Sequence, residues 1–166
     1  MTTVEARTKS PEDTRDLAAA IAPLVRSGDL LLLAGELGAG KTVFTQGLAR
    51  ALGVTEQITS PTFTLMRPYD GSELRLLHCD VYRLEHLQEI VDLGIVELVD
   101  ENSVAVIEWG DLAEPALPAD FLEIRLTYDL DAGDDERRLE LRPVGSAWAV
   151  RAGALERALQ RWSVTP

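Results

Sequence analysis

Apolar positions along the chain follow two periods, and each period predicts a different element. Leu17, Ile21, Leu24 and Val25 recur at helical spacing. They follow Ser10-Pro11-Glu12-Asp13, which offers an N-cap hydroxyl, a proline at the first helical position and acids facing the positive end of the helix dipole. Gly28 is the expected end of this helix. Leu30-Leu31-Leu32-Leu33-Ala34 is a short continuous apolar run, the form of a strand buried on both faces. A second helical face, Phe44, Leu48, Ala51 and Leu52, stops at Gly53. Residues 62–69 and 74–80 read as two strands joined through Asp70-Gly71, a pair that favours a hairpin. Leu87, Ile90, Val91, Ile95 and Leu98 mark a further helical segment interrupted by Gly94, and Val104-Ala105-Val106-Ile107-Glu108 is another buried strand. Two more strands are expected at 121–128 and 137–142, around an acidic loop from Asp129 to Glu136, with a short terminal helix from Leu155 to Trp162.

This order predicts an α/β domain spanning residues 1–166. A central, mostly parallel sheet carries antiparallel additions at 62–80 and 121–142 and is flanked by helices. A length of 166 residues with 46% apolar residues is the usual size for one core. No run of about 18 apolar residues occurs, and Arg7 and Lys9 precede the first apolar segment, so a soluble chain without a cleaved signal is expected. Cys79 is the sole cysteine, which excludes a disulfide framework and a zinc cluster and fits the cytoplasm. The net charge of −12 argues against unaided binding to nucleic acid, where lysine and arginine supply most of the affinity. Lys9 and Lys41 are the only lysines, so the cation at position 41 does not come from a lysine-rich background.

That cation lies in Gly35-Glu36-Leu37-Gly38-Ala39-Gly40-Lys41-Thr42, which fits G-x-x-x-x-G-K-[ST] between a predicted strand and a predicted helix. Such a P-loop holds a nucleotide triphosphate. Glycines at 35, 38 and 40 let the backbone curl, so that N–H groups of the loop, Leu37 and Ala39 included, point at phosphate oxygens at a helix N-terminus. Lys41 then neutralises the β and γ phosphates, and the Thr42 hydroxyl meets magnesium. ATP and Mg2+ are the expected ligands.

A P-loop enzyme also needs an acid at a neighbouring strand end, to hold magnesium and orient water. Glu108 ends one strand and Asp80 another. Period-two alternation puts Asp80 on the face of His78 and Leu76, away from Arg75, Leu77 and Cys79. Asp80 is read as positioning water or supporting the metal, against a structural ion pair with Arg83. His78 is either a site residue or a hydrogen-bonded structural histidine. Ser60-Pro61-Thr62-Phe63 lies where switch-type hydrolases sense the γ-phosphate, so Thr62 is either a site hydroxyl or part of a strand entry. Trp109 is a packing residue or a contact surface.

The ordered motifs G-E-L-G-A-G-K-T, S-P-T-F-T-L, H-C-D-V-Y-R-L and I-E-W-G-D, over about residues 10–112, resemble the bacterial TsaE (YjeE) family of tRNA threonylcarbamoyladenosine biosynthesis ATPases. The resemblance implies an ATPase serving the threonylcarbamoyl transferase that modifies adenosine 37 of tRNAs reading codons that begin with A. The partners implied are the catalytic subunit of that transferase and its paralogous scaffold subunit, with tRNA met only through the complex and no membrane involved. On the same basis Lys41 and Thr42 grip phosphates and magnesium, Glu108 joins the metal shell, Asp80 assists hydrolysis, and hydrolysis sustains turnover of the transferase. No arginine is placed as a finger, which leads us to expect weak hydrolysis without the partner. Two other readings share the P-loop: a small-molecule kinase, which would need an arginine-bearing lid, and an ATP-gated binding switch whose hydrolysis is incidental. A GTPase lacks support, since neither lysine sits in Asn-Lys-x-Asp.

Overall fold

The computed structural model describes residues 3–36, 38–59, 66–81, 86–99, 102–109, 114–129 and 132–164. Seven strands form one sheet in the order β1-β7-β6-β2-β5-β4-β3. They are β1 Val4–Thr8, β2 Leu30–Gly35, β3 Met66–Asp70, β4 Arg75–Asp80, β5 Ser103–Glu108, β6 Phe121–Tyr128 and β7 Arg137–Val144. The four central strands β6, β2, β5 and β4 are mutually parallel. The outer strands β3, β7 and β1 run antiparallel to their neighbours. Each expected hairpin therefore contributes one strand to the parallel centre and one to its flank. Residues 62–65 of the first predicted strand lie outside the described residues.

The leucine run of β2 is buried on both faces, as its composition requires. Its alternate residues divide the core in two. Leu31 and Leu33 pack with Val104, Val106 and Leu76 beneath helices α1 (Pro11–Ile21) and α2 (Lys41–Ala51), through Leu17, Ile21, Phe44 and Leu48. Leu30 and Leu32 pack with Leu77, Cys79, Ala105 and Ile107 against Ile90 and Ile95 of α3 (Leu87–Asp92) and α4 (Ile95–Leu98). Two short helices, α5 (Ser146–Ala149) and α6 (Ala152–Ala158), add Trp148 and Leu155 to the first cluster. Helices α1 and α2 cross closely at Gly47, where a Cβ would run into the Arg15 backbone. No described helix is long and apolar enough to cross a membrane.

Local signals set most boundaries. The Ser10 side chain accepts the Asp13 N–H at 3.0 Å, and Pro11 opens α1. Other expectations need correction. Helix α1 stops at Ile21 and not at Gly28, because Pro23 draws Ala22–Leu24 into a 3-10 turn, and Gly28 (φ 90°) serves the turn into β2. Ala51 is exposed and not part of the inward face of α2. The terminal helix begins at Ala152 and gives way to a 3-10 turn at Gln160–Trp162. Strand β1 was not anticipated, although its side chains alternate between buried and exposed. Five residues with two arginine or glutamate side chains offer too short a pattern to separate from a loop.

Candidate functional site

Parallel strands deliver their carboxyl ends to one edge of the sheet, and a reversal in connection direction there opens a crevice. Gly35, Glu108, Asp80 and Tyr128 end β2, β5, β4 and β6 at that edge. The P-loop leaves β2 at Gly35, where φ is 145° and a Cβ would strike the Leu126 carbonyl. Gly40 precedes α2 with φ 109°, a left-handed conformation that frees the first N–H groups of the helix to face an anion. Helix α2 has 11 residues, so its dipole reinforces the same preference.

Lys41 folds back over the loop. Its ammonium donates to the carbonyls of Gly35 at 2.7 Å and Glu36 at 2.9 Å, with its nitrogen 3.8 Å from the centroid of the Trp109 ring. The residue is 5% exposed. An ammonium held by an aromatic face and neutral carbonyl dipoles has partners that a stronger, anionic one can displace. Trp109 reaches this place from a left-handed backbone conformation, φ 64°, that is unusual for a bulky residue.

Next to Lys41, the Thr42 hydroxyl donates to Glu108 Oε1 at 3.2 Å. The other carboxylate oxygen, Oε2, meets His78 Nε2 at 2.5 Å. His78 is fully buried and Glu108 is 3% exposed, so one carboxylate links the helix start to the core of the sheet. His78 is thus hydrogen-bonded, as one of its two readings had it, and its partner is the candidate carboxylate Glu108. Asp80 is half-buried and stands opposite Glu108 in the β4–β5 register. The Asp80 charge also acts on its neighbour Cys79, whose thiol is pushed up to about 12, first by burial and then by that carboxylate. Among the described residues no three His, Cys, Asp or Glu side chains converge as a metal cage. The Thr42 hydroxyl and the Glu108 carboxylate, 3.2 Å apart, are a donor pair that fits magnesium, which is usually held by one or two carboxylates together with substrate phosphates.

The structure brings together Gly35, Gly38, Ala39, Gly40, Lys41, Thr42, Asp80 and Glu108 at one sheet edge. Leu37, Thr62, Arg83 and Asp111 lie outside the described residues. Two neighbours of the loop were missed from sequence. Arg137, at the start of β7, donates from Nε to the Ala39 carbonyl at 3.2 Å and stacks on Tyr128, with its guanidinium carbon 4.4 Å from the ring centroid. No local motif announces either residue.

A profile described as "Threonylcarbamoyl adenosine biosynthesis protein TsaE" matches residues 8–139. The chain belongs to the TsaE family. A Bacillus subtilis protein named tRNA threonylcarbamoyladenosine biosynthesis protein TsaE is 42% identical over 151 residues, covering 91% of this chain and 92% of that protein. The Streptomyces coelicolor protein of the same name is 43% identical over 140 residues, covering 81% and 93%. The crystal structure of Bacillus YdiB is similar with a TM-score of 0.76 at 37% identity, covering 94% of this chain and 95% of that one. The family match ends at Leu139, beyond both Tyr128 and Arg137.

Proposed function

We propose that this chain, acting as one domain over residues 1–166, hydrolyses ATP with magnesium, and that hydrolysis sustains threonylcarbamoylation of adenosine 37 in tRNAs reading codons that begin with A. The observation carrying this reading is the Thr42–Glu108 bond at 3.2 Å beside Lys41, which joins a phosphate loop to a strand-end carboxylate. Backbone N–H groups of Gly35, Leu37, Gly38, Ala39 and Gly40 hold the phosphates. Lys41 exchanges its carbonyl partners for β and γ oxygens, a charge-assisted contact that outweighs the neutral ones it leaves. The Thr42 hydroxyl and Glu108 carboxylate hold magnesium, with His78 fixing the carboxylate. When bound, that ion neutralises charge on the β and γ phosphates. Asp80 accepts a hydrogen bond from the attacking water, and Thr62 presents a hydroxyl to the γ-phosphate.

Weak hydrolysis alone and stimulation by the partner belong to the same proposal, on the sequence ground that no arginine is placed as a finger. The catalytic subunit of the transferase and its paralogous scaffold are the partners, in the cytoplasm. The negative charge of this chain leaves tRNA binding to them. Reconstituted threonylcarbamoylation followed over many turnovers tests the reading. Wild type sustains product formation, while Lys41→Ala, folded as judged by circular dichroism, stalls after the first turnovers. Equal yields with wild type, Lys41→Ala and no addition would remove the chain from the reaction.

A further inference from the structure

The contact between the P-loop and the β6–β7 hairpin is not used by the chemistry above. Tyr128 and Arg137 face each other at the last pair of the β6–β7 ladder, and Arg137 also pairs with Thr8 at the end of β1. Strands β6 and β5 flank β2 on opposite sides, so this rim stands across the loop from Glu108. Arg137 is fixed in three ways. Its Nη1 donates to the carbonyls of Asp134, at 2.5 Å, and Glu136, at 2.9 Å, and its plane lies on the Tyr128 ring. Its Nε–H points at the Ala39 carbonyl, 3.2 Å away. Tyr128 also borders the loop directly: a Cβ on Gly38, where φ is 79°, would come within 2.8 Å of the tyrosine hydroxyl oxygen.

We propose that Arg137 is a positioning residue of the nucleotide site, holding the P-loop in its phosphate-binding form through Ala39, with Tyr128 as its platform. The inference rests on the P-loop reading given above. Ala39 lies just outside α2, so its carbonyl is beyond the helix ladder and needs an outside donor. The peptide that accepts from Arg137 is the one whose N–H belongs to Gly40, a donor facing the phosphates. Donation to one end of a peptide group strengthens donation from its other end. Arg137 thus polarises a phosphate-binding N–H and adds positive charge behind it, without touching the metal end of the site.

Calorimetric titration of the full chain with ADP, with and without magnesium, tests this. Arg137→Ala raises the ADP Kd about tenfold, by the same factor in both conditions, which is the scale of one charge-assisted hydrogen bond. Arg137→Lys gives an intermediate Kd, because an ammonium keeps the charge but cannot lie flat on Tyr128 while also reaching Ala39. All titrations are run well below each variant's nucleotide-free melting temperature, and Arg137→Lys, the milder change because it keeps the charge, reports on the site even if the alanine variant proves unstable. An Arg137→Lys or Arg137→Ala Kd within twofold of wild type overturns the proposal, as does a loss confined to the magnesium condition. Failure of wild type itself to bind ADP overturns the P-loop reading and this inference with it.

Discussion

Replacing Glu108 with glutamine separates the charge of the carboxylate from its shape. Both oxygens are engaged, by Thr42 at 3.2 Å and His78 at 2.5 Å, in a residue that is 3% exposed. Alanine would leave the half-buried Thr42 hydroxyl and the buried His78 Nε2 without that partner, at about 1–3 kcal/mol for each polar group. The combined loss approaches a third of the stability of an ordinary domain, so the alanine variant confounds folding with chemistry. Glutamine keeps the volume. Its carbonyl accepts from Thr42, and its amide donates to Nε2 once the imidazole proton moves to Nδ1, a nitrogen with no hydrogen-bond partner in the structure. The stability cost is then about 1 kcal/mol, visible as a small drop in urea midpoint. If Glu108 holds magnesium as proposed, loss of its negative charge lowers partner-stimulated hydrolysis about 100-fold or more, equivalent to about 2.7 kcal/mol of barrier. The assay is phosphate release against magnesium concentration, beside urea melts. A Glu108→Gln variant hydrolysing within threefold of wild type at low magnesium would refute the metal role.

Other predictions follow from the packing. Gly47→Ala sets two effects against each other: about 1 kcal/mol of helix propensity gained and about 1–3 kcal/mol of overpacking against the Arg15 backbone. Because backbone cannot move aside as a side-chain tip does, a net loss in thermal stability is expected, and a gain would contradict the close α1–α2 crossing. Asp29 and Arg151 form a buried bidentate pair at 2.6 and 2.9 Å, so Asp29→Ala should cost about 3–5 kcal/mol in denaturant melts. Cys79 stays a thiol in the native state up to about pH 12, against 9.0 for the ordinary group. Between those values the unfolded chain releases a proton that the native chain keeps, so stability falls as pH rises through this window. The slope is smaller in Cys79→Ala, and native Cys79 resists a thiol reagent at pH 8 until the protein unfolds.

Much of this site is legible in sequence because its parts are local. The Gly35–Thr42 loop needs glycine where the backbone turns left-handed, and the leucines before it and the Phe44–Leu48 face after it identify strand and helix. Glu108 and Asp80 are legible as acids ending buried runs. Residues whose role depends on register are harder. Alternation places His78 on the correct face, but its contact with Glu108 follows from the pairing of His78 with Val106, which sets Glu108 two residues along the same face of β5. Arg137 contacts a carbonyl 98 positions away, and nothing around it distinguishes it from the next arginine, Arg138, which faces Glu5 instead. The left-handed backbone at Trp109 is likewise invisible, since glycine or asparagine would be the expected residue there.

By the proposed function, the Gly35–Thr42 loop binds and hydrolyses ATP in the service of the transferase. Release of phosphate from radiolabelled ATP, measured for wild type and Lys41→Ala with and without the transferase pair, tests it most directly. Wild type alone should release phosphate slowly and much faster once the pair is added, and Lys41→Ala should stay at background in both cases. Phosphate release that is unchanged by Lys41→Ala, with the pair present, would contradict it.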